Sequence, residues 1–419
     1  MRLLFLVVTI LLFSGCATKE IKLSNKVDIF LKKPITKQTK KDYKSYIKRY
    51  FKPWSIKRID TPLNEIKWAI DFARHRQIYG ENRVKIPKKR VDSWIKNANY
   101  KALNSFRKYA ITTYPTNLRA FPTNKPMFLN PSLKSEGYPF DYNQNSYINA
   151  LTPLFISHYS LDGGWAYVQT PFALGWIKIR DLSLISKKRI KLFENLPKVI
   201  IIKDNTPIYD NKQNFLFYAK LGTIFPYYNK TKDFYKILIP EKRGKYVVLK
   251  KSRLSKSIAK KMPLKFNNKN IKLVSKELLD EPYGWGGMVE NRDCSAMTRD
   301  FFAPFGIWLP RNSKAQAQVG KLINLSKMNN DEKEETILKK GVPFKTLIYL
   351  PGHTMVYIGK INKKAYAMHN IWGIRTQNGG RYIIGKAVIT DLYVGENLLE
   401  SDKNALLINR IKSINIIAQ

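Results

Sequence analysis

The stretch Tyr283-Gly284-Trp285-Gly286-Gly287, followed after Met288–Arg292 by Asp293-Cys294-Ser295-Ala296, decides how this chain is read. The chain has two cysteines, and Cys16 closes an export-type leader, so Cys294 is the thiol left free and no internal disulfide forms. A lone cysteine by default is a small buried hydrophobe. Here a glycine-rich turn leads into Asp293, which suits a helix N-cap. The spacing of Met297, Phe301, Phe302 and Phe305 then predicts a helix. Cys294 falls in its first turn, where the positive end of the macrodipole favours thiolate over thiol.

Downstream, Gly352-His353-Thr354-Met355-Val356-Tyr357-Ile358-Gly359 reads as a strand and Ala365-Tyr366-Ala367-Met368-His369-Asn370 as its return. Folding that hairpin at residues 361–363 sets His353 opposite residues 369–373, which brings His353 and His369 close from strand geometry alone. A helix-start Cys with two hairpin histidines fits a nucleophile, a base and an orienting group. A metal site is the rival use of Cys and His together. It is disfavoured because the sequence has no close ligand pair such as Cys-x-x-Cys or His-x-x-x-His, and no cofactor is expected.

Working outward, residues 1–15 read as a lipoprotein signal: Arg2, an apolar run from Leu3 to Phe13, then Ser14-Gly15 before Cys16. The run is too short to span a bilayer, which takes ~20 residues, but suits the apolar part of an export signal. Its end resembles a bacterial lipobox, which implies cleavage before Cys16, lipidation of Cys16 and a membrane anchor. Ala17 after the cysteine leans the expectation to the periplasm-facing outer membrane. Residues 16–34 read as a polar tether that lets the protein stand off the membrane.

Residues 35–111 form a helical block, with Thr61 expected to cap a helix opened by Pro62 and a stripe of Leu63, Ile66, Ile70 and Ala73. His75 in this block reads as a surface or packing residue. Residues 112–190 and 195–258 switch to short β runs with turns, each the size of a small SH3-like barrel; His158 in the first reads as structural. Residues 263–419 carry the chemistry. The formal net charge is +44, with Lys and Arg spread along the whole chain. That points either to an anionic polymer or surface as partner or to a Lys-rich composition alone. Nucleic acid is disfavoured by the export signal and by the absence of any zinc-finger, helix-turn-helix or RNA-recognition pattern.

Tyr283-x-Trp285-Gly286-Gly287, Asp293-Cys294-Ser295, the run Leu309-Pro310-Arg311-x-Ser313-x-x-Gln316, His353 and His369 together resemble the NlpC/P60 cysteine peptidases of the bacterial cell wall. The helical block and two SH3-like barrels ahead of that domain resemble the exported multidomain subgroup. The resemblance implies a papain-like α+β domain cutting peptidoglycan stem peptides at the γ-D-Glu–diamino acid bond. It makes Cys294 the nucleophile, His353 the base and His369 its orienting residue, with Tyr283, Asp293 and Ser295 shaping the pocket on the N-terminal side. Ala296 stands where many members have Gly, and Thr354-Met355 where many have Val-Gly, which implies a narrower cleft floor. A barrel closing one end of the cleft would select peptides with a free N-terminal L-Ala. Its amine would meet a carboxylate from Asp293, Glu136, Asp141 or Asp162. The alternatives are a wall-binding lipoprotein that uses its barrels and charge, or a related Cys-His amidase or acyltransferase.

Overall fold

The computed structural model describes residue 23 and residues 25–35 and 40–417. The signal segment, Cys16 and its lipidation lie outside the described residues. No helix among the described residues is long and apolar enough to cross a membrane.

The first described segment, from Asn25 to Ile35, lies on the surface of the last domain. Val27–Phe30 forms a 3-10 turn whose Val27 is fully buried in the largest core cluster. Phe30 packs on Tyr366 at 5.4 Å between ring centroids, and Asp28 pairs with Lys272 at 2.6 Å. The Asn268 side chain donates to Leu31 O and Lys33 O and accepts from Ile35 N. Apolar burial and satisfied backbone groups outweigh the polar composition that suggested a tether over residues 16–34. The segment from Asn25 to Ile35 is therefore a strap on the C-terminal domain rather than a spacer.

Helices Lys40–Tyr50, Leu63–Ile66, Trp68–Arg74 and Lys88–Asn97 make up the helical block. The expected single helix after Pro62 is broken at Lys67, and its N-cap is Pro62 itself, with no side-chain cap from Thr61. Ile66, Ile70 and Ala73 are buried as the stripe requires, whereas Leu63 is half exposed. His158 is buried and bonds Ala98 O and Ser157 Oγ, a packing role. His75 is exposed.

Most strands of the two small barrels belong to one 12-stranded sheet, while Thr206–Tyr209 and Phe215–Ala219 of the second pair apart as a two-stranded sheet. Leu182–Leu184 of the first barrel meets Tyr246–Ser255 of the second in a parallel bridge at Leu184–Tyr246. The C-terminal domain is α+β. Its 6-stranded antiparallel sheet runs, in spatial order, Lys321–Asn324, Ser413–Ile416, Thr346–Leu350, His353–Ile361, Lys364–Arg375 and Arg381–Asp391. The helix Cys294–Phe302 lies on this sheet, with Met297, Phe301 and Phe302 sharing a core with Val356, Ile358 and Met368.

Candidate active site

Asp293 is the N-cap of the helix Cys294–Phe302, and its Oδ1 accepts from Ala296 N at 2.8 Å. Cys294 thus occupies the first helical position. Burial, then the charge of Asp293, pushes its thiol up to about 12, although the N–H groups of Thr354 and Ser295 and the charge of Arg311 pull the other way. The helix start was expected to favour thiolate; desolvation of the charged form wins instead. Burial thus favours the thiol over the thiolate in the resting site.

The histidines come from the predicted hairpin. Ile361 pairs with Lys364, leaving Asn362-Lys363 as a two-residue turn with φ of 47° and 66° at the two positions, the left-handed pair of a type I′ hairpin. Val356 pairs with Met368, a register that sets His353 against residues around 371. His353 Nε2 lies 2.8 Å from His369 Nδ1, and His369 Nε2 lies 3.0 Å from Thr390 Oγ1. The Thr390 hydroxyl donates to Asp391 O at 2.7 Å.

That last bond dictates the tautomers. A carbonyl only accepts, so Thr390 spends its proton there and offers a lone pair to His369. His369 must then carry its proton on Nε2, and its bare Nδ1 accepts the Nε2 proton of His353. The lone pair of His353 is left on Nδ1. Burial lowers His353 to about 3, assisted by the charges of Arg410 and Arg381. Burial also holds His369 well below the usual imidazole range, with His353 contributing. Both rings are therefore neutral at pH 7.

The Leu309–Gln316 run braces this arrangement from behind. Arg311 grips both oxygens of Asp293 at 3.1 and 2.7 Å, and also bonds Ser295 Oγ and Ser146 Oγ. Burial alone would raise Asp293, but the charge and hydrogen bonds of Arg311 outweigh it and hold the carboxyl below its ordinary value. Gln316 Nε2 donates to Ser295 O and Pro310 O. Gly286 and Gly287 have φ of 61° and 87°. A Cβ on Gly286 would lie 2.1 Å from Gln144 O, and one on Gly287 would lie 2.5 Å from Tyr147 Cβ. Only glycine lets the first barrel come this close.

The result is a cleft of ≈ 440 Å³ with walls from three regions: Glu65 and Trp68 of the helical block, Tyr142 and Tyr167 of the first barrel, and Tyr283 and Cys294 of the last domain. Asp293, Ser295 and Gly352 also face it. Thr354 and Met355 do not narrow its floor. Met355 is fully buried in the core of the sheet's other side, and the contribution of Thr354 is its N–H to the sulfur.

Of the acids expected to meet a substrate amine, the first barrel's three do not line the cleft. Asp141 is locked to Arg119 at 2.9 Å and accepts from Met127 N and Asn143 N. Asp162 closes a turn, accepting from Ser160 Oγ, Gly164 N and Asn97 Nδ2. Glu136 hydrogen-bonds Tyr142 and is pushed upward by burial. Asp293 is committed to Arg311. The carboxylate left to face the cleft is Glu65, exposed and carried by a four-residue helix. No local pattern in the sequence marks it, because its placement depends on how the helical block docks. Thr390 was missed for the same reason: it is one of many threonines until the sheet sets it behind His369. Among the described residues, no group of three or more His, Cys, Asp or Glu side chains is arranged to hold a metal ion.

Fold and site together define a papain-like domain behind two SH3-like barrels and a helical block. Residues 280–378 match the model of the NlpC/P60 family, residues 126–178 that of an SH3 domain of SH3b1 type, and residues 186–232 that of an SH3 domain of SH3b2 type. Residues 5–103 match the N-terminal NLPC_P60 stabilising domain. The last domain of the chain is thus an NlpC/P60 catalytic domain. An NlpC/P60 endopeptidase from Photobacterium damselae subsp. piscicida superposes with a TM-score of 0.82 at 22% identity, covering 96% of this chain and 98% of its own. An NlpC/P60 family protein from Bacillus cereus superposes with a TM-score of 0.51 at 17% identity, covering 74% and 100%. At such identities the likeness is one of fold. No curated protein matches the chain.

Proposed function

We propose that this protein is a peptidoglycan hydrolase, a cysteine peptidase that cuts the γ-D-glutamyl–diamino acid bond of stem peptides. The observation that carries the reading is the hydrogen-bonded line His353–His369–Thr390, ending in a bare Nδ1 on the histidine whose neighbour Thr354 bonds the Cys294 sulfur. The thiol proton moves to His353 Nδ1 as the sulfur attacks the scissile carbonyl, so the imidazolium forms only when it is needed. The same proton is then delivered to the leaving amine, and water releases the acyl group by the reverse path. His369 orients the base and shares the positive charge that forms on it.

The helical block and first barrel wall the N-terminal side of the cleft, which favours short soluble peptides over intact wall. Glu65 supplies the carboxylate that a free N-terminal L-Ala would need, in place of the barrel acids. The wider surroundings fit the same reading: barrels and net positive charge suit an anionic wall polymer, and a lipidated Cys16 would hold the enzyme at the membrane, facing the periplasm.

The test is a comparison of kcat/KM for L-Ala-γ-D-Glu-diaminopimelate with the same peptide N-acetylated, read by mass spectrometry. The free amine should be preferred at least about tenfold, the scale of one charge-assisted hydrogen bond in a partly desolvated site. Glu65→Gln should erase most of that preference. Equal rates for the two peptides in the unmodified enzyme would remove the amine-recognition claim. No cleavage of either would remove the peptidase claim.

A further inference from the structure

Arg375, Arg381 and Arg410 act on one another with no partner of opposite charge, and the charges of Arg381 and Arg410 reach His353. Arg375 and Arg381 stand directly opposite each other on strands Lys364–Arg375 and Arg381–Asp391. Arg410 Nη2 donates to Pro351 O at 3.1 Å, two residues before His353. Like charges facing each other across a ladder are destabilising, so this arrangement costs stability unless an anion relieves it. Among the described residues none of the three has an ion pair, and Arg381 Nε is buried without a hydrogen-bond partner. The acid whose charge reaches Arg381 is Glu136. That carboxyl is turned to Tyr142, with its Oε2 buried and unpartnered, and makes no ion pair with the arginine.

Position tells what the cluster is for. In the reading above, His353 hands its proton to the leaving amine, so groups packed around His353 flank the residue that leaves. That residue is a diamino acid, which carries carboxylates. A guanidinium is a planar fork of donors that matches a carboxylate with two parallel hydrogen bonds.

Resting on that reading, we propose that Arg375, Arg381 and Arg410 form an anion subsite on the leaving-group side of the cleft, which takes a free carboxylate of the diamino acid. Charge makes the subsite more than a handle. Two guanidiniums oppose the formation of a third cation on His353. A bound carboxylate neutralises them at the moment the imidazolium forms. The interaction is therefore stronger in the transition state than in the resting enzyme, and it acts on kcat as well as on KM.

The experiment compares L-Ala-γ-D-Glu-diaminopimelate with the same peptide whose diamino acid carboxyls are amidated, using wild-type, Arg381→Gln/Arg410→Gln and Arg381→Lys/Arg410→Lys proteins. The wild type should prefer the free acid by about tenfold or more in kcat/KM, as expected for charge-assisted contacts. The preference should fall to about threefold or less in the Gln pair and be partly kept in the Lys pair, which retains the charge without the fork. Equal kcat/KM for the two peptides in the wild type, or an undiminished preference in both variants, overturns the subsite. Calorimetry of free diaminopimelate and its diamide with full-length Cys294→Ala protein separates this from the peptidase reading. If the wild type cuts neither peptide, the hydrolysis reading fails. Binding of diaminopimelate that is lost in the diamide, and weakened about tenfold by Arg381→Gln/Arg410→Gln, still supports the subsite. Binding that is absent or indifferent to those changes overturns it.

Discussion

Arg292 and Asp293 are neighbours in sequence, both buried and both charged, yet they serve opposite ends of the molecule. Arg292 turns to the second barrel, bonding its Asp204 at 2.9 Å together with Glu281 at 2.8 Å and Asp300 at 2.7 Å of the last domain, with Lys220 of the barrel closing the group. Asp293 turns to the first barrel's side, where Arg311 ties it to Ser146 and where the cleft opens. One contact is sealed and fully satisfied; the other leaves an open cleft lined by rings and a thiol. The same helix start is thus bolted to one barrel and held ajar from the other. A buried charge is tolerated where every partner is present, and a cleft survives where the partners are spent on holding its walls apart.

The largest expected effect is on the open side. Cys294→Ala should reduce peptide hydrolysis by at least roughly 10⁴-fold while leaving the melting temperature nearly unchanged. Measurable turnover at the wild-type rate would put the nucleophile elsewhere. On the sealed side, Arg292→Met leaves three carboxylates without their main counter-charge and should cost about 3–5 kcal/mol of stability in urea unfolding. A loss below about 1 kcal/mol would mean that the cluster is not a bolt.

Acid should find the same bolt. Burial alone would raise Asp204, but Arg292 and Lys220 outweigh it and hold the carboxyl far below the ordinary range. A depressed folded-state pKa gives stability that is fully present above the unfolded value, near 3.9, and is lost as the pH falls through the folded one. Stability should therefore drop below about pH 4, and Asp204→Asn should flatten that acid limb. A limb of unchanged steepness in the variant would assign the loss to other carboxylates.

Smaller effects sharpen the description of the open side. Thr390→Val removes the acceptor that holds His369 in its tautomer and should lower kcat about three- to tenfold, the weight of one hydrogen bond. Thr390→Ser should restore it, whereas a purely packing role would favour Val over Ser. With the thiol near 12, alkylation of Cys294 by iodoacetamide in the free enzyme should keep rising with pH through about 10. A plateau beginning near neutrality would reveal a standing thiolate–imidazolium pair.

Much of this was legible in the sequence, because the signals were local. Asp293 caps the helix that carries Cys294, and a polar turn at Asn362-Lys363 sets the register that aligns His353 with His369. The order of helical block, two barrels and catalytic domain follows from changes in hydrophobic period along the chain. What was misread depended on distant partners. The polar strap after Asn25 looked like a free tether because its composition says nothing of the groove between Asn268 and Tyr366 that receives it. Asp141 and Asp162 looked available to a substrate because their partners Arg119 and Asn97 lie far away in sequence.

By itself, then, the sequence determined which atoms could do chemistry: a cysteine at a helix start and two histidines on one hairpin, since capping and strand register act over a few residues. Only the tertiary structure decided their state and their company. Burial favours the thiol and neutral imidazoles, because the cost of charge depends on the surroundings in three dimensions. Domain docking brings Glu65 to the cleft, and the folding of the last domain's own sheet sets Thr390 behind His369 and gathers Arg375 and Arg381 near Arg410.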